Sequence, residues 1–416
     1  MKICLVSAFP PSRRGLNEYG YHIARELQQD PLISLTVLAD KLEPQPTELR
    51  EFNVLRCWSF DSISNPLHLW KTVRELKPDV VWFNLLFSTF GGNPVAAFAG
   101  LTTPAMMRLS GCFTHVTLHH LMDNVDLGHA GVSHPRLYRA AGNLATRALL
   151  MANSVSVLLP AYRRTLIERY GGENVHFRAH GILSARPEAP DFSLRGNPHH
   201  RILAFGKWGT YKRLEMLIES FAEVQRRIPE ARLIIAGGNH PKTPGYVESV
   251  AARFSDNPYI TFTGYAAEEE IPDLLRTATV MVMPYSSATG SSGVAHLACE
   301  YGLPVVCADI PDFREMADDE SLAIQFYKTG STDSLTGCLC NLICDSPLAR
   351  EMAEQNFSAA LRMTMPQIIR QYLRSFDVRK RQRALQPIAR FRRIPGWVPS
   401  RSALFRAATP RWAPWM

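Results

Sequence analysis

The reading turns on Arg201-Ile202-Leu203-Ala204-Phe205-Gly206-Lys207-Trp208-Gly209-Thr210-Tyr211-Lys212-Arg213-Leu214 and its continuation to Arg227. Residues 201–205 are a short apolar run that stops at a glycine, as a buried strand does. From Leu214 to Arg227 the apolar residues recur at helical spacing, which predicts an amphipathic helix. Arg232 to Ala236 is a second strand, halted by Gly237-Gly238. Strand, glycine loop, helix and strand in this order open a parallel α/β domain. Downstream, strands at 260–263, 279–283 and 304–308 alternate with helices at 268–278 and 294–301.

The same alternation precedes this stretch. Residues 2–8 read as a strand, Pro10, Pro11 and Gly15 as a loop, residues 18–29 as a helix and 32–39 as a strand. Further strands are expected at 80–83, 116–118 and 155–159. Residues 186–200 are polar and rich in proline, the composition of an interdomain linker. The expected architecture is therefore two Rossmann-like domains, 1–185 and 201–365, joined by that linker.

A chain of 416 residues accommodates two domains. With 46% hydrophobic and 20% charged residues it has an ordinary globular composition. No run of about 18 apolar residues predicts a membrane span. The apolar start is too short for a signal peptide, so a cytoplasmic location is expected. Of the 8 cysteines, Cys338, Cys340 and Cys344 form a C-x-C-x3-C group. No fourth ligand stands beside them, and core thiols on a buried helix are the expectation.

From Arg379 onward there are ten basic residues and no acidic one, so the net charge of +8 belongs to the tail. Nucleic-acid binding by the folded body does not follow from it. Arginines there interleave with Phe391, Trp397, Phe405, Trp412 and Trp415, which suits a peripheral contact with an anionic membrane; a disordered basic tail is the alternative. Its five prolines argue against one long helix.

Four places could carry chemistry. Lys207 and Lys212 stand between a strand and a helix, where open α/β sheets bind ligands, and two cations there suit a diphosphate. A solvated basic loop is the alternative. Ser291, Ser292 and Gly293 open the helix at 294–301, offering amides and hydroxyls to an anion, or merely capping the helix. Gly15 permits close backbone approach in the first loop, which is otherwise a plain turn. His119 stands at a strand's carboxyl end and reads either as a cleft residue or as a structural one.

Together these pieces resemble a GT-B glycosyltransferase of the large retaining family GT4, over roughly residues 1–378. Lys207 and Lys212 occupy the places of the Arg and Lys in the family's Gly-Arg-x4-Lys loop, which hold the donor diphosphate. Leu233 to Gly238, with Gly237, matches a family strand, and Ile260 to Tyr265, with Gly264, the region near the base. Gly15 matches a glycine loop near the phosphate, His119 a histidine beside the reacting sugar, and His180-Gly181-Ile182 the element before the linker. The resemblance implies a last helix, 366–378, that crosses back to the first domain, with 379–416 as the tail.

One departure stands out. The family's E-x7-E pair would fall at Thr289 and Leu297, and neither is a carboxylate. Glu300 comes a helical turn late, and His296 is left to point at the donor. What the resemblance implies is retaining transfer of a hexose from a nucleotide-diphosphate sugar, GDP-mannose or UDP-glucose, without metal or other cofactor. The expected acceptor is a hydroxyl of a lipid-linked saccharide in bacterial polysaccharide assembly, at the inner face of the cytoplasmic membrane. A catalytically silent nucleotide-sugar-binding protein and a GT-B epimerase are the alternatives.

Overall fold

The structure is a computed structural model; it describes residues 1–44, 46–47, 49–124, 135–193, 200–240, 243–267, 269–287 and 290–392. The first half runs β1 (Lys2–Val6), α1 (Asn17–Gln28), β2 (Ser34–Asp40), β3 (Val54–Trp58), α2 (Asn65–Leu76), β4 (Val80–Leu85), α3 (Pro94–Leu101), α4 (Thr103–Leu109), β5 (Thr114–Leu118), α5 (Pro135–Leu150), β6 (Ser154–Val157), α6 (Pro160–Tyr170) and β7 (Val175–Phe177). The second half runs β8 (Arg201–Phe205), α7 (Leu214–Arg227), β9 (Arg232–Ala236), α8 (Tyr246–Arg253), β10 (Ile260–Gly264), α9 (Ile271–Thr277), β11 (Val280–Met283), α10 (Gly293–Glu300), β12 (Val305–Ala308), α11 (Pro311–Glu320), β13 (Ile324–Tyr327), α12 (Thr332–Cys344), α13 (Ser346–Arg362) and α14 (Met365–Arg392).

Two separate sheets result, in the orders β3-β2-β1-β4-β5-β6-β7 and β10-β9-β8-β11-β12-β13. All pairings are parallel; Leu5, for example, faces Val37 on β2 and Trp82 on β4. Each sheet reverses strand order beside its first strand, at β1/β4 and at β8/β11. Ligands of doubly wound sheets bind beyond the carboxyl ends of the strands at such a switch point. The loops after β1, β4, β8 and β11 are therefore the ones to inspect.

Apolar periodicity sets the packing. On α7, Leu214, Leu217, Ile218, Phe221 and Val224 are all buried, one stripe at helical spacing. Each such side chain contributes about 1.5–3 kcal/mol on burial. Every residue of β4 is buried, as a central strand covered on both faces requires. Gly20 on α1 allows that helix to sit on β1, since a Cβ there would lie 2.4 Å from the Ser7 hydroxyl.

After α13 the chain returns to the segment following β7. Ile182 N donates to Met363 O at 3.0 Å, and Ile182 bridges Thr364 in parallel. The helix that begins at Met365 does not stop at residue 378 and continues to Arg392, through Pro387. The reason lies in Arg379-Lys380-Arg381-Gln382-Arg383-Ala384-Leu385-Gln386, all strong helix formers, with Arg381 also paired to Asp377 one turn back at 2.9 Å. Residues 370–416 form a unit of their own, and the rest of the tail, 393–416, lies outside the described residues. Among the described residues no helix is long and apolar enough to cross a membrane.

The cysteine triplet lies on α12 as a helix, but not wholly in the core. Cys338 and Cys340 are half-buried and Cys344 is exposed, because the buried stripe passes through Leu335, Leu339, Leu342 and Ile343 instead.

Gly237 carries the tightest backbone approach in the second half. Its φ is +107°, and an added Cβ would sit 1.9 Å from the carbonyl oxygen of Gly206. Beside it, Gly238 has open space. Gly237→Ala is expected to destabilise the protein by about 3 kcal/mol or more, through strain and overlap together, whereas Gly238→Ala leaves the thermal midpoint unchanged. Equal midpoints for the two variants would refute this account of the loop.

Candidate functional site

The loop after β8 folds over the end of β9. Trp208 N donates to Gly238 O at 2.8 Å, and the Trp208 indole N–H to Ala236 O at 3.0 Å. This pins Trp208 in the interior and turns Thr210–Lys212 into one tight helical turn. Lys212 is thereby drawn inward. Its Nζ stands 4.5 Å from the centre of the Tyr285 ring, 5.6 Å from Trp208 and 6.0 Å from Tyr211. It is only 8% exposed, and no carboxylate pairs with it among the described residues. Burial holds its pKa below the ordinary lysine value. Gly206 has a φ of +141°, which strains any side chain, and a Cβ there would also lie 3.0 Å from the ammonium. Lys207, in the same loop, is exposed.

Gly237 and Gly264 belong to this architecture differently. Gly237 N donates to Gly264 O at 2.7 Å, and Gly237 lies wedged against Gly206. Gly264 has a left-handed φ of +66° with open space around it. Next to it Tyr265 is 77% exposed, and Arg13 of the first half reaches over its ring at 5.9 Å. The loop carrying Gly15 is therefore near the end of β10. That loop is fastened by Asp40, fully buried, which accepts from Ser12 Oγ at 2.7 Å and pairs with Arg14 at 3.4 Å. A Cβ on Gly15 would meet Leu86, after β4, at 3.0 Å.

Beyond β11 the chain enters α10. Ser292 spends its hydroxyl on the cap, accepting from Ala295 N at 3.3 Å. Ser291 Oγ is buried and has no hydrogen-bond partner among the described residues. Gly290 presses on the first half, where a Cβ would lie 2.4 Å from the carbonyl oxygen of His119. Its N–H is 2.6 Å from the Tyr162 hydroxyl and 2.9 Å from Asp312 Oδ2, while Tyr162 itself donates to Asp312 at 2.6 Å. Arg164 and Glu315 form an ion pair between the same two helices, α6 and α11, at 2.8 Å. Tyr162 and Asp312 were not among the sequence candidates.

His119 follows β5 and is buried. Ser7 Oγ donates to Leu16 O, Asn84 Nδ2 donates to Ser7 Oγ at 3.1 Å, and so Asn84 turns Oδ1 to His119 Nε2 at 2.7 Å. This chain assigns the His119 proton to Nε2 and leaves Nδ1 as an acceptor. Burial keeps the ring neutral, reinforced by His180 and His120.

Three further groups extend from it: His180, His296 and Glu320. The His119 and His180 ring centres are 6.1 Å apart, and those of His180 and His296 are 4.8 Å apart. His296 is 2.7 Å from Glu320 Oε2 and 2.7 Å from Ser292 O. His296 thus points into α11, not toward an open donor site. No carboxylate stands at Leu297, while Thr289 lies outside the described residues. Glu300 turns to Ser184, and burial pushes its pKa up to about 7.

The chain has the GT-B fold, with its candidate site at the facing switch points of two Rossmann-like sheets. Within it, residues 199–345 match the sequence profile of the family described as Glycosyl transferases group 1. Alpha-D-kanosaminyltransferase of Streptomyces kanamyceticus is 27% identical over 154 residues, 37% of this chain and 39% of that protein. Mannosylfructose-phosphate synthase of Agrobacterium fabrum is 31% identical over 88 residues, 20% of this chain and 19% of that protein. The matches thus span about two fifths and one fifth of these relatives. Among solved structures, sucrose-phosphate synthase from Thermosynechococcus elongatus superposes with a TM-score of 0.72 at 14% identity, covering 91% of this chain and 98% of that one. Anabaena HepE in complex with UDP and glucose superposes with a TM-score of 0.66 at 17% identity, covering 91% and 99%.

The buried imidazoles give stability a definite pH slope. Burial lowers the pKa of His22 to about 4 and that of His180 to about 3, against about 6.5 when unfolded. Between pH 6.5 and 4 the unfolded chain binds more protons, so stability is full above pH 6.5 and falls as pH drops. Each group contributes up to about 1.4 kcal/mol per pH unit. His296 has the opposite sign. Burial alone would lower its pKa, but Glu320 and the Ser292 carbonyl raise it, so its contribution is full below pH 6.5 and lost above. Unfolding midpoints at pH 7, 5.5 and 4.5 should fall steadily, and His22→Asn should flatten the slope by one proton. An unchanged slope in that variant would exclude His22 as a source.

Proposed function

We propose that the chain is a retaining glycosyltransferase that moves a hexose from a nucleotide-diphosphate sugar to a hydroxyl acceptor. The observation that carries this reading is the Lys212 ammonium, buried among Trp208, Tyr211 and Tyr285 without a carboxylate partner among the described residues. An unpaired buried cation is costly, and a ligand anion supplies its partner. It stands at the β8/β11 switch point, where a nucleotide fits. Family GT4 resemblance, the group 1 profile over 199–345 and the UDP-bound Anabaena structure support the same assignment.

In the proposed reaction the bond between the anomeric carbon and the β-phosphate oxygen breaks, and negative charge collects on the departing diphosphate. Lys212 and exposed Lys207 neutralise it, and the N-terminus of α10 at Ser291–Gly293 adds amide donors. His119 offers its Nδ1 to the reacting sugar, while the acceptor hydroxyl attacks from the face the diphosphate leaves, forming the new glycosidic bond and passing its proton to the departing phosphate oxygen. Gly15 gives the phosphate room, and the loop at Gly237 and Gly264 borders the base. UDP-glucose or GDP-mannose is the donor, and a lipid-linked saccharide of bacterial polysaccharide assembly the acceptor. No metal or other cofactor takes part. The protein works in the cytoplasm, at the inner membrane face, where the basic aromatic tail meets anionic lipid. A silent nucleotide-sugar-binding protein is the second reading, favoured by Leu297 in the place of a carboxylate.

Lys212→Met keeps the volume and removes the charge. It should weaken UDP or GDP binding by about 30-fold, the equivalent of about 2 kcal/mol, while the free protein is equally or more stable. Titration calorimetry and thermal unfolding read the two effects. Unaltered nucleotide affinity would remove the basis for the diphosphate assignment. Slow hydrolysis of a bound donor separates a transferase from the silent protein, which binds without turnover.

A further inference from the structure

His180 has no assigned role, yet it occupies the centre of the site. Its Nδ1 lies 2.8 Å from Gly181 O. A carbonyl only accepts, so the proton is on Nδ1 and Nε2 carries a lone pair. Burial keeps the ring neutral. The Nε2 edge is directed at the start of α10: a Cβ on Gly293 would be 3.8 Å from Cε1 and 3.9 Å from Nε2. Nε2 has no hydrogen-bond partner among the described residues. Gly293 leaves this edge uncovered where any other residue would place a side chain.

The ring is held on several sides. Tyr19 packs on it with centroids 4.7 Å apart and donates its hydroxyl to the His180 carbonyl at 2.9 Å. His119 lies edge-on at 6.1 Å. His296 stacks at 4.8 Å with its plane tilted 32°. Both nitrogens of His296 face oxygen acceptors, Ser292 O and Glu320 Oε2. The Ser292 carbonyl accepts from Nδ1–H, and the Glu320 carboxyl at Nε2 raises the ring's pKa and favours its doubly protonated form. With both nitrogens occupied, His296 has no donor left for a ligand. What it presents to the site is its face, against His180.

We propose that His180 accepts a hydroxyl of the donor's hexose through Nε2, and that Glu320, acting through His296, is the positioning residue that sets the ring. This rests on the nucleotide-sugar reading above. Two neutral imidazoles, His119 with Nδ1 and His180 with Nε2, then supply acceptors where Leu297 supplies none. A sugar hydroxyl satisfies such an acceptor, and an apolar group or a second anion does not.

The test compares each nucleoside diphosphate with its sugar conjugate by titration calorimetry: UDP with UDP-glucose, and GDP with GDP-mannose. His180→Phe keeps an aromatic ring and deletes the acceptor. It should leave nucleoside diphosphate affinity within about twofold and lower the affinity of the sugar conjugate, relative to the diphosphate, by about tenfold. Glu320→Gln should do the same more weakly, and should remove one of the two protonated ring-nitrogen signals of His296 in the nitrogen NMR spectrum. If the wild type binds a conjugate and His180→Phe leaves the ratio unchanged, the proposal fails and the nucleotide-sugar reading stands. If the wild type binds none of the four probes, both fall together. Should His180→Phe not fold, Glu320→Gln decides: a changed ratio with unchanged diphosphate affinity supports the proposal, and an unchanged ratio overturns it.

Discussion

A single ammonium group organises the second half of the molecule. Lys212 is buried against three aromatic rings, and no acid pairs with it among the described residues. The ring faces offset part of the cost of desolvation, since a cation over an aromatic face gains about 1–2 kcal/mol. The remainder restricts its neighbours. Gly206 stays bare because its φ of +141° strains any side chain, with the ammonium 3.0 Å from where a Cβ would lie, and Gly237 stays bare because its backbone meets the carbonyl of Gly206. Trp208 is pinned by two hydrogen bonds to the end of β9 so that the loop can turn inward. The glycines of this loop answer to a charge and to each other before they answer to any ligand.

How legible this was depends on the range of the interaction. Strands 201–205 and 232–236 and helix 214–227 are where the apolar period places them, because each buries a face that its own residues declare. The positions of Lys212 and His119 beyond the carboxyl ends of strands are also legible from the apolar runs that precede them. Strand β3 is harder to see. Its run Val54-Leu55-Arg56-Cys57-Trp58 is broken by an arginine, and only the fold shows Arg56 reaching the carbonyls of Pro10 at 2.7 Å and Asp40 at 2.8 Å. The full length of α14 is not legible, because Pro387 signals a stop that the eight helix formers ahead of it outweigh.

The relations inside the site were not legible at all. His180 and His296 stack although more than a hundred residues separate them, and Glu320 comes from yet another helix. A search for a carboxylate at Leu297 finds nothing in the sequence. In the fold, a carboxylate does approach α10, but from α11, and it meets a histidine instead of open space. Position in a motif identifies what a residue could do, whereas the partner that determines its protonation state is set by packing.

The contact of Gly290 with Tyr162 and Asp312 bears on how such proteins can be recombined. The loop leading into α10 belongs by sequence to the second half, but its geometry is completed by a hydroxyl from the first. The halves are consequently not interchangeable cassettes. A chimaera that joins residues 201–369 of this chain to the first half of another GT-B protein inherits the loop without this Tyr162, and Asp312 keeps the Gly290 N–H but loses the phenolic donor from the first half. Residue 162 and residue 312 have to be inherited as a pair, so the seam between two exchangeable halves runs through α6 and α11 as much as through the proline-rich linker.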